Sequence, residues 1–325
     1  MTTYKEINGT NIKNLSSDPA NPIEGQIWYN TTSGTLKGRS VSTLASWASG
    51  GSMAVAKTNF AGAGTQTAAL AFGGQSPGSA TESYDGTSWT NLGNIFTQNV
   101  SNLAGCGTQT AALAFGGQLP PVGTDATSEF NGTSWAAGGN LIEGGTRMAA
   151  AGSQGAGLRV AGQPSSAPPY KSNLTEEYNG TSWAAGGTFP KGTRDFGACG
   201  TQGAAAAFGG DEPTATQTNE YNGTSWAAGG TMLLEVNGNK GFGLQTAAIS
   251  MGGGNPPSAT ITQLYDGSSW TAGVNALNRV ADFATAKNGT QSAGIIFGGE
   301  GPPPSTASQE YNGPGSLITV TIPGS

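Results

Sequence analysis

Apolar and polar positions fall in short blocks along this chain, and the blocks recur. An apolar run ends in a glycine pair, as in Ala68-Ala69-Leu70-Ala71-Phe72-Gly73-Gly74. A Pro-rich polar spacer follows, then an aromatic residue, Asn-Gly or Asp-Gly, and Ser-Trp. Two full copies read AALAFGGQSPGSATESYDGTSW (68–89) and AALAFGGQLPPVGTDATSEFNGTSW (111–135). The tryptophans of the series, Trp47, Trp89, Trp135, Trp183, Trp226 and Trp270, are 42, 46, 48, 43 and 44 residues apart. Each block predicts strands. A short apolar run bounded by glycine has the pattern of a buried strand, and its small side chains suit a sheet squeezed between neighbours. The glycine pair lets the chain bend or pass close to another backbone. Asp85-Gly86, Asn131-Gly132, Asn179-Gly180, Asn222-Gly223 and Asp266-Gly267 predict type I′ hairpin turns between an aromatic-bearing and a Trp-bearing strand. The flanking aromatics fill space between adjacent sheets. Gly-Thr-Gln (64–66, 107–109, 200–202 and 289–291) predicts another tight turn before the apolar strand.

A period of about 40–50 residues carrying four short strand signals is the signature of a β-propeller, one period per blade. Apolar strands lead into the glycine position at Phe72, Phe115, Val160, Phe208, Met251 and Phe297, so the expectation is all-β with six four-stranded blades. The third copy, LRVAGQ, is the most degenerate. The last copy reaches Tyr311-Asn312-Gly313 and has no Trp, whereas Trp47 has no strands of its own before it. Residues near 42–48 are therefore expected to supply the fourth strand of the sixth blade and close the ring, removing an exposed sheet edge. LITVTI (317–322) alternates partly, as an edge or intersubunit strand does, and competes less well for that position. The expected divisions are an attachment arm (1–40), the propeller (41–313) and a C-terminal strand or tail (314–325).

Gly-Gly followed by Tyr and Trp at this spacing resembles the kelch repeat over residues 41–313. PANPIEGQIWYNTTSGTLKG (19–38) resembles the N-terminal segment of bacteriophage tail-fibre and other virion proteins of marine and cyanobacterial phages, as do kelch-like repeats full of YNGTSW. The resemblance implies a virion protein, assembled in the host cytoplasm and carried on the outside of the particle. It makes the arm, with Ile27, Trp28 and Tyr29, the expected attachment to other virion proteins. Three functions follow as expectations. One is a non-enzymatic tail-associated adhesin that meets a host-surface glycan. Another is a capsid- or tail-decorating protein that binds only virion proteins. The third is a glycan hydrolase.

Composition narrows the chemistry. Glycine makes up 55 of 325 residues, but periodically, which argues for order. The net charge of −6 with only 13 Lys and Arg argues against nucleic-acid binding. No run of 18 apolar residues predicts a membrane span, and no secretory signal is expected at the start. Cys106 and Cys199 occupy equivalent repeat positions two blades apart, too far for a disulfide, and are expected to be buried small hydrophobes. The chain contains no histidine, which excludes the usual Ser-His-Asp and Cys-His catalysis and His-ligated zinc or copper. The kelch-like copper-radical oxidases need histidine ligands, so their chemistry is excluded. Ser83-Tyr84-Asp85-Gly86-Thr87-Ser88-Trp89 approaches the sialidase Asp-box but is one residue short between Asp and Trp. No metal and no cofactor are expected.

Candidate residues lie in the loops. A carboxylate-pair hydrolase would draw on Asp211, Glu212, Glu235 and Glu300, although solvated loop acids are the plainer reading. Glu82, Glu129, Glu177, Glu220 and Glu310 precede the third-strand aromatic, and Lys57, Arg147, Arg194, Lys240 and Arg279 fall near the start of first strands. Salt bridges between strands or blades are the favoured reading, and an anion-gripping basic ring at the channel mouth is the functional one. The connections between second and third strands (QSPGSA, QLPPVGTDA, QPSSAPPYKSNL, DEPTATQ, GNPPSAT, EGPPPSTA) share one face with the crossovers between blades. Proline lowers the entropy that binding costs. Recognition is expected on this face, with Tyr170 and Lys171 in the longest loop and apolar crossover residues Ile95-Phe96, Leu141-Ile142, Phe189 and Met232-Leu233-Leu234. Packing between blades is the competing role for the apolar members. Homo-oligomers are a further expected partner arrangement.

Overall fold

The computed structural model describes residues 12–20, 22–41, 44–75, 78–93, 96, 99–119, 122–165, 170–211, 215–254, 260–278, 281–300, 305–314 and 317–322. Part of each Pro-rich segment between second and third strands falls outside them, as do Glu212, Arg279 and Ile95. The described residues hold strands and connecting turns but no α-helix, and they fall into two compact units, Ser46–Asn312 and a smaller unit of Met1–Ala45 with Gly313–Ser325.

The large unit is a succession of antiparallel sheets, one per sequence repeat, in a propeller-like arrangement. Sheet 1 runs Ala61–Thr65, Ala68–Phe72, Thr81–Tyr84, Trp89–Gly93. Sheet 2 runs Ala104–Gly107, Ala112–Phe115, Thr127–Phe130, Trp135–Ala137. Sheet 3 runs Ala149–Ser153, Ala156–Pro164, Ser172–Tyr178, Trp183–Ala185, with the short Gly145–Thr146 added on its second strand. Sheet 4 runs Gly197–Thr201, Ala204–Phe208, Thr218–Tyr221, Trp226–Ala228, and sheet 5 runs Lys240–Leu244, Ala247–Met251, Thr262–Tyr265, Trp270–Ala272. Sheet 6 takes Ala284–Thr285, Ala293–Phe297 and Ser308–Asn312 from the end of the unit and Ser46–Ser49 from its start, with Trp47 opposite Tyr311.

Within each sheet the third-strand aromatic faces the Trp across the hairpin, with ring centroids 4.8–5.1 Å apart. The turn between them is not the expected two-residue type I′. Tyr84 pairs with Trp89 across four residues. Asp85 Oδ1 accepts from the N–H groups of Thr87 and Ser88, and only Gly86 takes a positive φ, of 91°. An Asx side chain that caps two backbone donors makes a left-handed Asp unnecessary. Asn131, Asn179, Asn222 and Asp266 make the same pair of bonds.

Three kinds of side-chain latch join neighbouring sheets, the first at all six seams and the other two at four seams each. The first is the glutamine of the first turn. Gln109 Nε2 donates to Ala69 O and Tyr84 O of sheet 1, at 3.1 and 2.6 Å. Gln154, Gln202, Gln245 and Gln291 do the same to sheets 2, 3, 4 and 5. Gln66 of sheet 1 donates to Gly294 O and Tyr311 O of sheet 6. The second latch is a phenol on a carboxylate at 2.5–2.7 Å: Tyr178 to Glu129, Tyr221 to Glu177, Tyr265 to Glu220 and Tyr84 to Glu310. The third is an indole on a threonine: Trp135 to Thr81, Trp183 to Thr127, Trp226 to Thr175 and Trp270 to Thr218, at 2.8–3.1 Å.

These bonds correct the expected salt bridges. Glu129, Glu177, Glu220 and Glu310 bind tyrosines of the next sheet instead of lysines or arginines. Glu82 belongs to a different position, one residue earlier, where it accepts from the N–H groups of Ala54 and Val55 in the incoming crossover. Glu176 and Gln263 hold their crossovers in the same way.

The latches fail at identifiable substitutions. Between sheets 1 and 2 the acceptor position is Ser83 and the donor position Phe130, so neither half is present. Between sheets 5 and 6 the acceptor is Leu264, and the buried Tyr311 hydroxyl has no partner. At that same seam Trp47 Nε1 donates to Val274 O, and Thr262 Oγ1 is unpaired. The seam between sheets 5 and 6 thus keeps the Gln291 latch and lacks the other two.

The smaller unit is a four-stranded sheet in the order Lys13–Leu15, Ile27–Asn30, Thr35–Val41, Leu317–Thr321, with the first pair parallel. The N-terminal segment and LITVTI thus share one sheet. Trp28 is fully buried, and Asp18 accepts from Trp28 Nε1, Asn30 Nδ2 and Lys37 Nζ. Those bonds hold the Asp18 carboxyl down at about 2.

Leu264→Glu supplies the missing acceptor, and we expect it to raise stability by about 1 kcal/mol in urea unfolding. Tyr178→Phe orphans Glu129 and should cost about 1–3 kcal/mol, whereas Tyr311→Phe should be neutral or stabilising, since a buried hydroxyl without a partner is removed. Equal losses for the two Tyr→Phe variants would contradict the latch assignment.

Candidate functional site

The ends of the sheets differ. The first–second and third–fourth turns lie at one end, the turn face, and the longer connections and crossovers lie at the other, the loop face.

On the loop face the structure brings together side chains far apart in sequence. Tyr170 and Lys171 lead into the third strand of sheet 3. Arg194 and Asp195 lead into the first strand of sheet 4, and Asp211 follows the second. Arg194 Nε donates to Asp211 Oδ2 at 2.8 Å, and Nη1 to Gln163 Oε1 at 2.8 Å. Lys171 Nζ lies 3.6 Å from Asp211 Oδ2, and Asn237 Nδ2 donates to Asp211 Oδ1. Arg147 Nη1 donates to Asp195 Oδ2 at 3.0 Å. Burial pushes the Asp211 carboxyl up, but Arg194, Lys171 and Asn237 outweigh it and hold the group below its ordinary value. Asp211 is thus an ionised anchor, unsuited to proton donation near neutral pH. Tyr170 stands beside this cluster, 60% exposed.

The apolar crossover residues divide by position. Phe96, Leu141, Phe189 and Met232 are buried. Phe189 packs on Trp226 at 4.9 Å between ring centroids, so it fills the seam between sheets. Ile142, Leu233 and Leu234 are exposed, and Leu233 and Leu234 are steadied by their N–H bonds to Gln263.

The five cations proposed as a ring do not share one environment. Lys57 is fully buried, with Nζ donating to Gly73 O and Ala80 O, and burial lowers it to about 8. Both carbonyls belong to the second–third connection of sheet 1, so the ammonium is enclosed there instead of facing a mouth. Arg147 and Arg194 are ion-paired, Lys240 lines a central passage, and Arg279 is outside the described residues.

That passage is lined by first-strand residues of all six sheets. At its loop end Asn59, Asn102, Arg147, Asp195 and Asp282 share a left-handed backbone, with φ of 50–57°, and Gly238 takes 74°. Asn102 N donates to Asn59 O, Arg147 N to Asn102 O, Asp195 N to Arg147 O, and Gly238 N to Asp195 O. Asn59 N donates to Asp282 O, linking sheet 1 to sheet 6. Asn and Asp tolerate this conformation best. Asn or Asp before Phe or Leu opens four of the six repeats, with Arg147-Met148 and Gly238-Asn239 in the other two, and is the sequence signal of this ring. Phe60, Leu103, Met148, Phe196 and Phe283 form an apolar collar behind it. Burial and its hydrogen bond with Glu300 raise the Asp282 carboxyl, against the opposing fields of Lys240 and Arg147.

On the turn face a recess of about 360 Å³ is lined by Ser153, Thr201, Gln202, Leu244, Asn288 and Thr290, among others. The sequence placed recognition on the opposite face and gave no sign of this recess. Among the described residues no group of three or more Cys, Asp or Glu is placed to hold a metal ion. Both cysteines are buried free thiols, and burial pushes each up to about 12. Glu235 is exposed. In the smaller unit Ile27 and Tyr29 are partly exposed on either side of the buried Trp28.

No protein-family model matches the chain, and no curated protein matches it.

Lys287, beside Lys240 in the passage, is lowered from 10.5 to about 8, by burial first and by Lys240 second. The unfolded chain then binds more protons than the folded one between those values, so this group makes stability rise as pH rises through that window. Lys287→Met should flatten the rise in melting temperature between pH 7.5 and 10.5. An unchanged slope would show that Lys287 is not buried as a cation.

Proposed function

We propose that the large unit is a closed six-bladed propeller and that the chain is a non-enzymatic component of a phage particle, displaying the loop face for contact with a host-surface glycan. Closure is supported by the cyclic order of the bonds: Gln66 of sheet 1 reaches sheet 6 as each other glutamine reaches the sheet before it, and Tyr84 binds Glu310 of sheet 6 as tyrosines bind glutamates at three other seams. Contacts between successive first strands run through the six sheets, and Ala284–Thr285 touches Ala61–Thr65. The observation that carries the functional reading is the gathering of Tyr170, Lys171, Arg194 and Asp211 on a scaffold latched at every seam. Variable loops on a rigid support are where recognition sits, and an exposed tyrosine held beside fixed polar groups suits a sugar ring. The ionised, triply held Asp211 favours binding over hydrolysis. Attachment to other virion proteins through the smaller unit, with Ile27 and Tyr29 at its surface, rests on the resemblance of residues 19–38 to phage tail-fibre segments.

The test is binding of fluorescently labelled full-length chain to panels of marine bacteria and cyanobacteria. Saturable binding to a subset of strains is expected, with affinity at least about tenfold lower for Tyr170→Ala/Lys171→Ala, the loss of one to two interface anchors. A folded chain that binds no strain would favour a decorating role on the particle. Sugar released from host envelope, and lost in Asp211→Asn, would favour the hydrolase.

A further inference from the structure

The sheet of the smaller unit has two edges, and they differ. One edge is Lys13–Leu15, three residues long and opening on a lysine. The other is Leu317–Thr321, five residues with no charge and no proline. Its pairing shows which backbone groups it leaves open. Ile322 N donates to Leu36 O at 2.9 Å, and the register sets Gly38 opposite Val320 and Arg39 opposite Thr319. Bonded and unbonded pairs alternate along an antiparallel ladder. Ile318, Val320 and Ile322 therefore turn their backbone groups inward, and Thr319 and Thr321 turn theirs outward. Among the described residues nothing bonds the backbone N–H or C=O of Thr319 or Thr321, and both residues are exposed. A row of open donors and acceptors without Lys, Pro or a bulge is a template for another strand. The outermost strands of the large unit suit this less well. Those of sheets 2 to 5 have three residues, that of sheet 6 has four, and that of sheet 1 is interrupted by a register shift.

The sequence of the free edge indicates what fits it. Ile318-Thr319-Val320-Thr321-Ile322 reads the same in both directions. An antiparallel copy of this strand, centred on Val320, puts Thr319 opposite Thr321, Ile318 opposite Ile322 and Val320 opposite itself. Thr319 and Thr321 then form the bonded pairs, each pair exchanging both its N–H···O bonds across a twofold axis. Thr–Thr and other β-branched pairs across an antiparallel ladder are stabilising. Charge permits the pairing too. The strand carries none, and the cations beside it are Lys37, opposite Thr321, and Arg39, opposite Thr319. They would stand three strand spacings, about 14 Å, from those of the second copy, beyond the screening length of about 8 Å. Lys37 is ion-paired with Asp18 at 2.8 Å, and Arg39 Nη1 donates to Thr319 Oγ1.

We propose that this edge is a self-association surface, on which a second copy of the chain pairs antiparallel about Val320 and extends the sheet of one smaller unit into that of the other. A strand donated by a different protein places no demand for symmetry on this sequence. The inference stands apart from the attachment to virion proteins proposed above, since it needs only the free edge and its palindrome. The paired edge is short, so association is expected in the micromolar range.

Sedimentation of the full-length chain should show a monomer–dimer equilibrium. Thr319→Glu/Thr321→Glu sets glutamates opposite each other across the axis, while each lies beside Arg39 or Lys37 of its own sheet. The variant should keep its melting temperature and dimerise at least about tenfold more weakly. Cross-linking reads the register. Val320→Cys places two thiols on the axis at a spacing that a disulfide accepts, and mild oxidation should give a covalent dimer. Thr319→Cys lies opposite a threonine and should give at most about a tenth as much. Cys106 and Cys199 are buried and do not compete. A folded chain that stays monomeric would overturn the proposal. So would a dimer that the double glutamate variant leaves intact, or equal cross-linking of the two cysteine variants.

Discussion

The large unit depends on one amide group used repeatedly. Each glutamine of the first turn spends both Nε2 protons on carbonyls of the preceding sheet, one on its second strand and one at its third-strand aromatic. The sheets are short and their apolar strands are largely alanine, so each buries little area by itself. Burial contributes about 25 cal/mol per Å² of apolar surface, and runs such as Ala204–Phe208 offer little of it per residue. Fixed neighbours are therefore needed, and a side chain that satisfies two backbone carbonyls at every seam supplies both registry and hydrogen bonding. The Tyr–Glu and Trp–Thr bonds add to the same seams, and each is missing at two of them. The Gln bonds are kept at all six.

Sheet 3 and sheet 1 place charge where the other sheets place small or neutral residues. Arg159 stands where sheets 1, 2 and 4 have alanine, and it is fully buried, with Nη1 2.8 Å from Glu176 Oε1 and Nη2 3.3 Å from Glu143 Oε2. Its strand slips register at Ala161, a left-handed non-glycine residue in the place of the first glycine of the pair. Buried pairs of this kind add little net stability but penalise loss of either partner heavily. They make sheet 3 chemically distinct from its neighbours, and the loop that follows its second strand carries Tyr170 and Lys171.

The two faces and the passage differ in what they offer. The loop face has ion-paired, well-anchored polar groups with exposed Tyr170, Ile142 and Leu233 around them. The turn face has a recess built largely of backbone, hydroxyls and Leu244. The passage between them is narrowed by the collar and by Lys287 and Asn288, so the two faces act as separate surfaces.

The repeat period, the strand positions, the glycine pairs and the aromatic–Trp hairpins were all legible from the sequence, because they rest on local rules: strand length, turn chemistry and the spacing of large side chains. The role of Ser46–Ser49 was legible too, since Trp47 lacked its own strands and the last copy lacked a Trp. What each polar residue bonds was not legible. Gln in Gly-Thr-Gln reads as turn chemistry until the neighbouring sheet is in place, and Glu82 and Glu129 look equivalent until the register separates them by one residue. Lys57, Lys240 and Lys287 are alike in sequence. Only the packing of the sheets decides that Lys57 is fully buried on carbonyls of sheet 1 while Lys240 and Lys287 line the passage, because burial is a property of the assembled fold.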